Sequence, residues 1–279
     1  MDPLSDRTKH RIGRKENKQS IVHRFIADLE EAHIFLLLLL FIVLFRPIVD
    51  HSLASVPLLG VNDIQEKGGV VQDNASIKKI GIDVSFYQGK IDWSTTATHV
   101  DFVYLKATDG ITYQDPRFNV NAQALGAQNT PHGAYHFFEP NDDPIKQAKN
   151  YLHTIRDYKL ALRPVVDIEI SKGFKPQSIA RNLRLWLEYV EKEIGCKPMI
   201  YSYASFWDTY IGSKFNAYPF WLADYSTKPQ PPHSRSDWQL WQYSQSGRVV
   251  GIDSSVDMDR FVGDQQAFDR LFCQPDKEV

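Results

Sequence analysis

Cysteine is scarce in this 279-residue chain, with only Cys196 and Cys273 present. They stand in no C-x-x-C or Cys/His spacing, which excludes a zinc-finger-like site and a dithiol redox motif. Outside the cytoplasm the two could pair, and two separate buried thiols satisfy the sequence equally well. Glycine-rich phosphate loops are also missing: neither G-x-G-x-x-G nor G-x-x-x-x-G-K-[ST] occurs, so nothing argues for a bound nucleotide. Neither sign of charge is in excess, since 32 Lys and Arg against 34 Asp and Glu give a formal net charge of −2. No basic stripe is interleaved with aromatics in the way single-stranded nucleic acid prefers. Nucleic acid is therefore not an expected partner, and no metal or cofactor is expected.

Long apolar runs are absent but for one, the unbroken stretch from Ile34 to Phe45, extended past Arg46 by Pro47, Ile48 and Val49. The polar leader before it carries Arg7, Lys9, Arg11, Arg14, Lys15, Lys18 and Arg24, a bias that predicts a cytoplasmic N-terminus. The reading is a basic-biased tail over 1–33, a signal anchor over 34–49 and a linker over 50–77. The alternative is a signal peptide removed near Ser52-Leu53-Ala54. Either way residues 78–268 form an exported domain, expected to be monomeric, followed by a tail over 269–279. The protein is then expected in the cytoplasmic membrane, single-pass, with the domain on the extracytoplasmic side, or secreted if the anchor is cut.

From Lys79 onward short apolar runs alternate with stretches of helical spacing. Strands are predicted at Ile80–Val84, Phe102–Ala107, Gly133–Phe137, Pro164–Ile170, Pro198–Tyr203, Phe220–Ala223 and Leu240–Tyr243, and helices at Asn119–Asn129, Ile145–Tyr158 and Gln177–Ile194, with Gly195 closing the last. Strand and helix alternation at this length predicts an α/β fold, a closed or nearly closed TIM-like β/α barrel rather than an open sheet. In such barrels chemistry gathers at the C-terminal ends of the strands. Acids recur there: Asp83, Asp167 with Glu169, Asp224 and Asp257. For Asp224 and Asp253 a turn or cap is the plainer reading.

Asp167-Ile168-Glu169 is the most informative of these segments. On a strand, residues two apart share a face, so the two carboxylates look into the same space with Cα atoms roughly 6–7 Å apart. Burying two unpartnered charges that close costs several kcal/mol, so function explains them better than structure does. Aromatics make up 13% of the chain, and Trp186, Trp207, Trp221, Trp238 and Trp241 all fall in its second half. They suit either a packed core or the floor of a sugar-binding groove. His136 alternates with Tyr135 and reads as a satisfied core histidine.

Eight collinear blocks across about residues 79–265 resemble the glycoside hydrolase family 25 lysozymes, the Chalaropsis-type muramidases. They are Gly81-Ile82-Asp83-Val84-Ser85-Phe86-Tyr87-Gln88-Gly89 with Ile91-Asp92-Trp93; Phe102 to Gly110 with Asp115 and Phe118; Gly133-Ala134-Tyr135-His136-Phe137; Pro164 to Glu169; Tyr201-Ser202; Trp221-Leu222-Ala223-Asp224-Tyr225; Trp241-Gln242-Tyr243; and Val256-Asp257. The resemblance implies a distorted barrel with a reduced helix set and a peptidoglycan hydrolase acting on glycan strands. It implies Glu169 as general acid, Asp167 beside it, and Asp83 and Asp257 as the other acids. Tyr135, Tyr201, Trp221, Gln242, Lys106 and Asp224 are candidate substrate-binding residues, Lys106 also as a cation balancing the acids. Two positions depart from the pattern: Asp259 stands where Asn is usual, and Phe86 where a polar or smaller residue is common. The alternative is a non-catalytic glycan-binding envelope protein on the same barrel.

Overall fold

The computed structural model describes residues 76–273. The basic tail, the apolar segment and nearly all of the linker expected over 1–77, with the last six residues of the tail, lie outside the described residues. Among the described residues no helix is long and apolar enough to cross a membrane.

Among the described residues nine strands form one sheet: β1 (Ile77–Val84), β2 (Phe102–Asp109), β3 (Tyr113–Gln114), β4 (His132–Phe137), β5 (Val165–Asp167), β6 (Met199–Tyr203), β7 (Phe220–Ala223), β8 (Leu240–Gly247) and β9 (Val256–Gly263). β1, β2, β4, β5, β6, β7 and β8 pair in parallel, each with the next. β9 lies antiparallel between β8 and β1 and closes an eight-stranded barrel, while the two-residue β3 hangs on the end of β2. All seven predicted strands are present. β3 and β9 are additional, and the regular part of the fourth predicted strand is confined to Val165–Asp167.

Three long helices, α1 (Phe118–Ala127), α2 (Pro144–Ile155) and α3 (Pro176–Ile194), cover the β2–β6 side. The β6–β7 crossover contains only short helical turns, and β8–β9 is a hairpin connection, so the helix set is reduced. α3 illustrates the local logic. Pro176 occupies the first turn, where its missing N–H costs nothing, and Ile179, Leu183, Trp186, Leu187 and Val190 form the buried stripe. Gly195 then takes the left-handed conformation at φ 75° that ends a helix with little strain only for glycine.

Strand alternation divides the apolar residues into two layers. Ile82, Val103, Leu105, Ala134, Val166, Ile168, Ile200 and Leu222 face outward and pack with the helices. Phe102, Tyr104, Val165, Met199, Tyr201, Trp221, Leu240 and Phe261 fill the interior. At the base of the barrel Cys196 and Cys273 form a disulfide with Cα atoms 5.7 Å apart. Beside it Arg163 N–H donates to the Leu271 carbonyl (2.9 Å) and Cys273 N–H to the Ala161 carbonyl (2.9 Å).

Candidate active site

The same alternation that buries Val165 and Met199 inside the barrel carries polar residues inward one layer higher, toward the C-terminal ends of the strands. Asp83 from β1, Lys106 from β2, Tyr135 from β4, Asp167 from β5, Tyr201 from β6, Gln242 from β8 and Asp257 from β9 occupy that layer. Strand register places Asp83 beside both Tyr104 and Asp257, Lys106 beside Tyr135, and Asp167 between Phe137 and Tyr201.

The regular ladder stops at Asp167, but the backbone through Glu169 is held from both sides. Phe138 N–H donates to the Asp167 carbonyl (2.8 Å) and Ile168 N–H to the Tyr201 carbonyl (3.1 Å). Ser202 Oγ donates to the Ile168 carbonyl (2.7 Å) and Tyr203 Oη to the Glu169 carbonyl (3.3 Å). Ile168 is fully buried in the outer layer, so the segment stays extended and its flanking acids stay on the inner side. The carboxyls themselves are left free for other work: Asp167 Oδ1 is buried without a hydrogen-bond donor.

Burial dominates the electrostatics. It raises Asp167 well above the ordinary carboxyl range, with the Glu169 charge adding to the effect and Lys106 opposing it. Glu169, half-buried, is also raised by burial against the pull of Lys106. The pair titrates as a unit and keeps a proton at pH values where ordinary carboxyls have lost theirs. Asp257 rises to about 6 through burial and then Glu169, and Asp83 is raised by burial and then Asp257. Lys106 is the cation of this mouth, bonded to Asp109 at 3.0 Å and lying 4.9 Å from the centre of the Phe137 ring.

Gln242 organises the opposite wall. Its Oε1 accepts from Tyr201 Oη (2.8 Å) and Tyr225 Oη (2.7 Å), which turns its Nε2 toward Asp83 Oδ2 at 2.7 Å. Two predicted binding residues lie elsewhere in the architecture. Trp221 is 1% exposed and gives Nε1–H to Asp259 Oδ1 (3.1 Å), so it floors the site from within the core and presents no face to a sugar. Asp224 accepts the backbone N–H groups of Ser226 (2.9 Å) and Gln230 (3.0 Å). Burial alone would raise it, but those bonds outweigh the effect and hold it below its usual range, the behaviour of a loop staple. His136 is the core histidine expected, joined to Thr108 Oγ1 (2.8 Å) and Gln147 Oε1 (3.0 Å), stacked on Trp186 and pushed by burial to about 3.

Exposed aromatics recur near the C-terminal ends of the strands. Phe86, Tyr87, Tyr113, Phe174, Tyr203 and Tyr225 are exposed, and each ends or closely follows a barrel strand or its C-terminal extension. Asp115 accepts from Phe86 N–H (2.9 Å) and Arg117 N–H (2.8 Å), tying the β1 and β2 loops together at the rim.

A closed β/α barrel whose mouth holds a proton-retaining carboxyl pair, two facing acids and a rim of exposed aromatics defines an acid-base hydrolase of glycosidic bonds. The model of the family "Glycosyl hydrolases family 25" matches residues 82–252. The chain is 36% identical over 192 residues to the uncharacterized protein YegX of Escherichia coli O157:H7, covering 67% of this chain and 70% of that one. It is 34% identical over 200 residues to Lysozyme M1 of Streptomyces globisporus, covering 66% and 67%. A family 25 glycosyl hydrolase structure from Bacillus anthracis superposes with a TM-score of 0.64 at 30% identity, over 68% of this chain and 92% of that one. The chain belongs to glycosyl hydrolase family 25 and is a glycoside hydrolase.

Proposed function

We propose that this enzyme is a lysozyme, an N-acetylmuramidase that cleaves the β-1,4 bond between N-acetylmuramic acid and N-acetylglucosamine in peptidoglycan, held at the cytoplasmic membrane by residues 34–49. The observation that carries the catalytic part is the Asp167/Glu169 pair: two inward carboxyls at the barrel mouth, raised by burial, with Asp167 Oδ1 left without a donor. Glu169 is the longer and less buried of the two, so it delivers the proton to the leaving oxygen. Asp167 orients the 2-acetamido group of the substrate, whose carbonyl oxygen acts as internal nucleophile. Asp83 and Asp257 face the same space and supply negative charge to the oxocarbenium-like transition state. The exposed rim aromatics offer flat faces for sugar rings, and Tyr135 and Tyr201 line the wall. The similarity to Lysozyme M1 supports the substrate class.

The membrane part rests on the apolar run and the basic leader, and on the disulfide, which suits an oxidising compartment. Incubating the full-length chain with purified peptidoglycan and, in parallel, with chitin tests the catalytic part. Reducing ends from peptidoglycan and none from chitin are expected, and the opposite pattern overturns the reading. For the anchor, the expected outcome is sedimentation with membranes and release by detergent but not by alkaline carbonate. Release by carbonate contradicts it.

A further inference from the structure

Asp259 is a buried acid that the proposed reaction does not use. It is fully inside the barrel, one step below Asp257 on the same face of β9, with 0% exposure. Its Oδ1 accepts from Trp221 Nε1 (3.1 Å), and its Oδ2 has no N–H or O–H donor. The charges that act most strongly on it are those of the acids Asp83 and Asp257, and Arg163 acts on the neighbouring Tyr104. Asp83 on β1 lies within hydrogen-bonding reach, Asp257 precedes it on β9, and Tyr104 on β2 presses on the same space with an Oη that likewise lacks a partner. Arg260, its sequence neighbour, turns to the other face and stacks over Trp241 and Tyr243. Asp83 already takes one donor, Gln242 Nε2 at 2.7 Å.

We propose that Asp259 is a positioning residue that holds a proton and donates its O–H to Asp83, so that Asp83 is fixed as a single anion between two donors, Gln242 and Asp259. Two adjacent buried anions would be left with one indole N–H and one amide between them, an arrangement that costs several kcal/mol. A single shared proton removes it. The direction agrees: burial, then the charges of Asp83 and Asp257, hold Asp259 well above the usual carboxyl range, while the hydrogen bond between them favours the anion on Asp83. The Trp221–Asp259–Asp83–Gln242 chain, completed by Tyr201 and Tyr225 on Gln242, thereby ties the packed interior to one wall of the mouth. The catalytic consequence rests on the lysozyme reading, but the protonation does not.

Two readouts test it on the full-length protein. Infrared difference spectra between wild type and Asp259→Asn at pH 7 should contain a protonated-carboxyl C=O band lost in the variant, and its absence overturns the proposal whatever the substrate proves to be. Asp259→Asn keeps a donor toward Asp83, whereas Asp259→Leu fills similar space with none. On peptidoglycan, kcat of the Leu variant should fall roughly tenfold to a hundredfold below that of the Asn variant with KM little altered, both retaining the wild-type circular dichroism spectrum. Equal kcat for the two contradicts the hydrogen-bond role. Loss of peptidoglycan hydrolysis in the wild type itself would sink the lysozyme reading and leave the infrared result to decide for Asp259.

Discussion

In the proposed reaction Glu169 and Asp167 divide one task between two carboxyls of different reach and burial. Replacing Glu169 by Gln removes the proton donor while preserving shape, and Asp167→Asn removes the carboxyl that steers the acetamido group. Each should lower turnover on peptidoglycan by about 10²- to 10⁴-fold with a melting temperature at neutral pH no lower than that of wild type, since burial raises both carboxyls, and near-wild-type turnover in either refutes the assignment. Asp257 makes a separate prediction about stability. Its folded-state value of about 6 stands above the ordinary 3.8. Its contribution is therefore fully present below the unfolded value and is lost as pH rises through the folded one. Asp257→Asn should gain on wild type across pH 4–7 by up to about 3 kcal/mol, measured by urea unfolding at a series of pH values. At this scale the sequence is legible where alternation decides the matter, as it does for Asp167, Glu169 and Asp83. It fails at Trp221, because period two says that a side chain points inward but not whether it lies at the rim or in the layer beneath. Asp224 is the plain turn acid that its loop composition suggests.

Among the elements, β9 was the least legible. Val256-Asp257-Met258-Asp259-Arg260 alternates, yet its inward face is acidic and its outward face apolar or cationic, the reverse of the pattern that marks a strand with one buried side. The apolar rule fails there because the interior at that height is polar, with Asp83 bonded to Gln242 and Asp259 to Trp221. β2 shows the opposite case. Its inward Phe102 and Tyr104 are large, and glycines on the neighbouring strands make room for them: a Cβ at Gly81 would sit 2.2 Å from the Phe102 ring, and one at Gly133 would sit 2.4 Å from Tyr104. These rings are fully buried and have nowhere to move. Gly81→Ala and Gly133→Ala should each destabilise the domain by about 1–3 kcal/mol or more, seen as a lower midpoint in denaturant; an unchanged midpoint would mean that the barrel is looser than it looks.

At the scale of the described domain, the closed sheet, the covering helices and the disulfide at the base frame one mouth lined by acids. The barrel was legible in the sequence from strand-helix alternation and from ordered acids at strand ends. The Cys196–Cys273 pairing was not, because residues 77 apart meet only once the chain end packs under the barrel. That loop length implies that the crosslink restricts the unfolded chain by about 4.5 kcal/mol, so Cys196→Ser should lower unfolding stability by up to that amount under oxidising conditions and make little difference in reductant. The most direct test of the proposed reaction is to digest purified peptidoglycan with the full-length enzyme, reduce the new ends with borohydride and identify the reduced sugar. The wild type should yield reduced N-acetylmuramic acid and Glu169→Gln none. Reduced N-acetylglucosamine as the sole new end, or equal release by the variant, would contradict it.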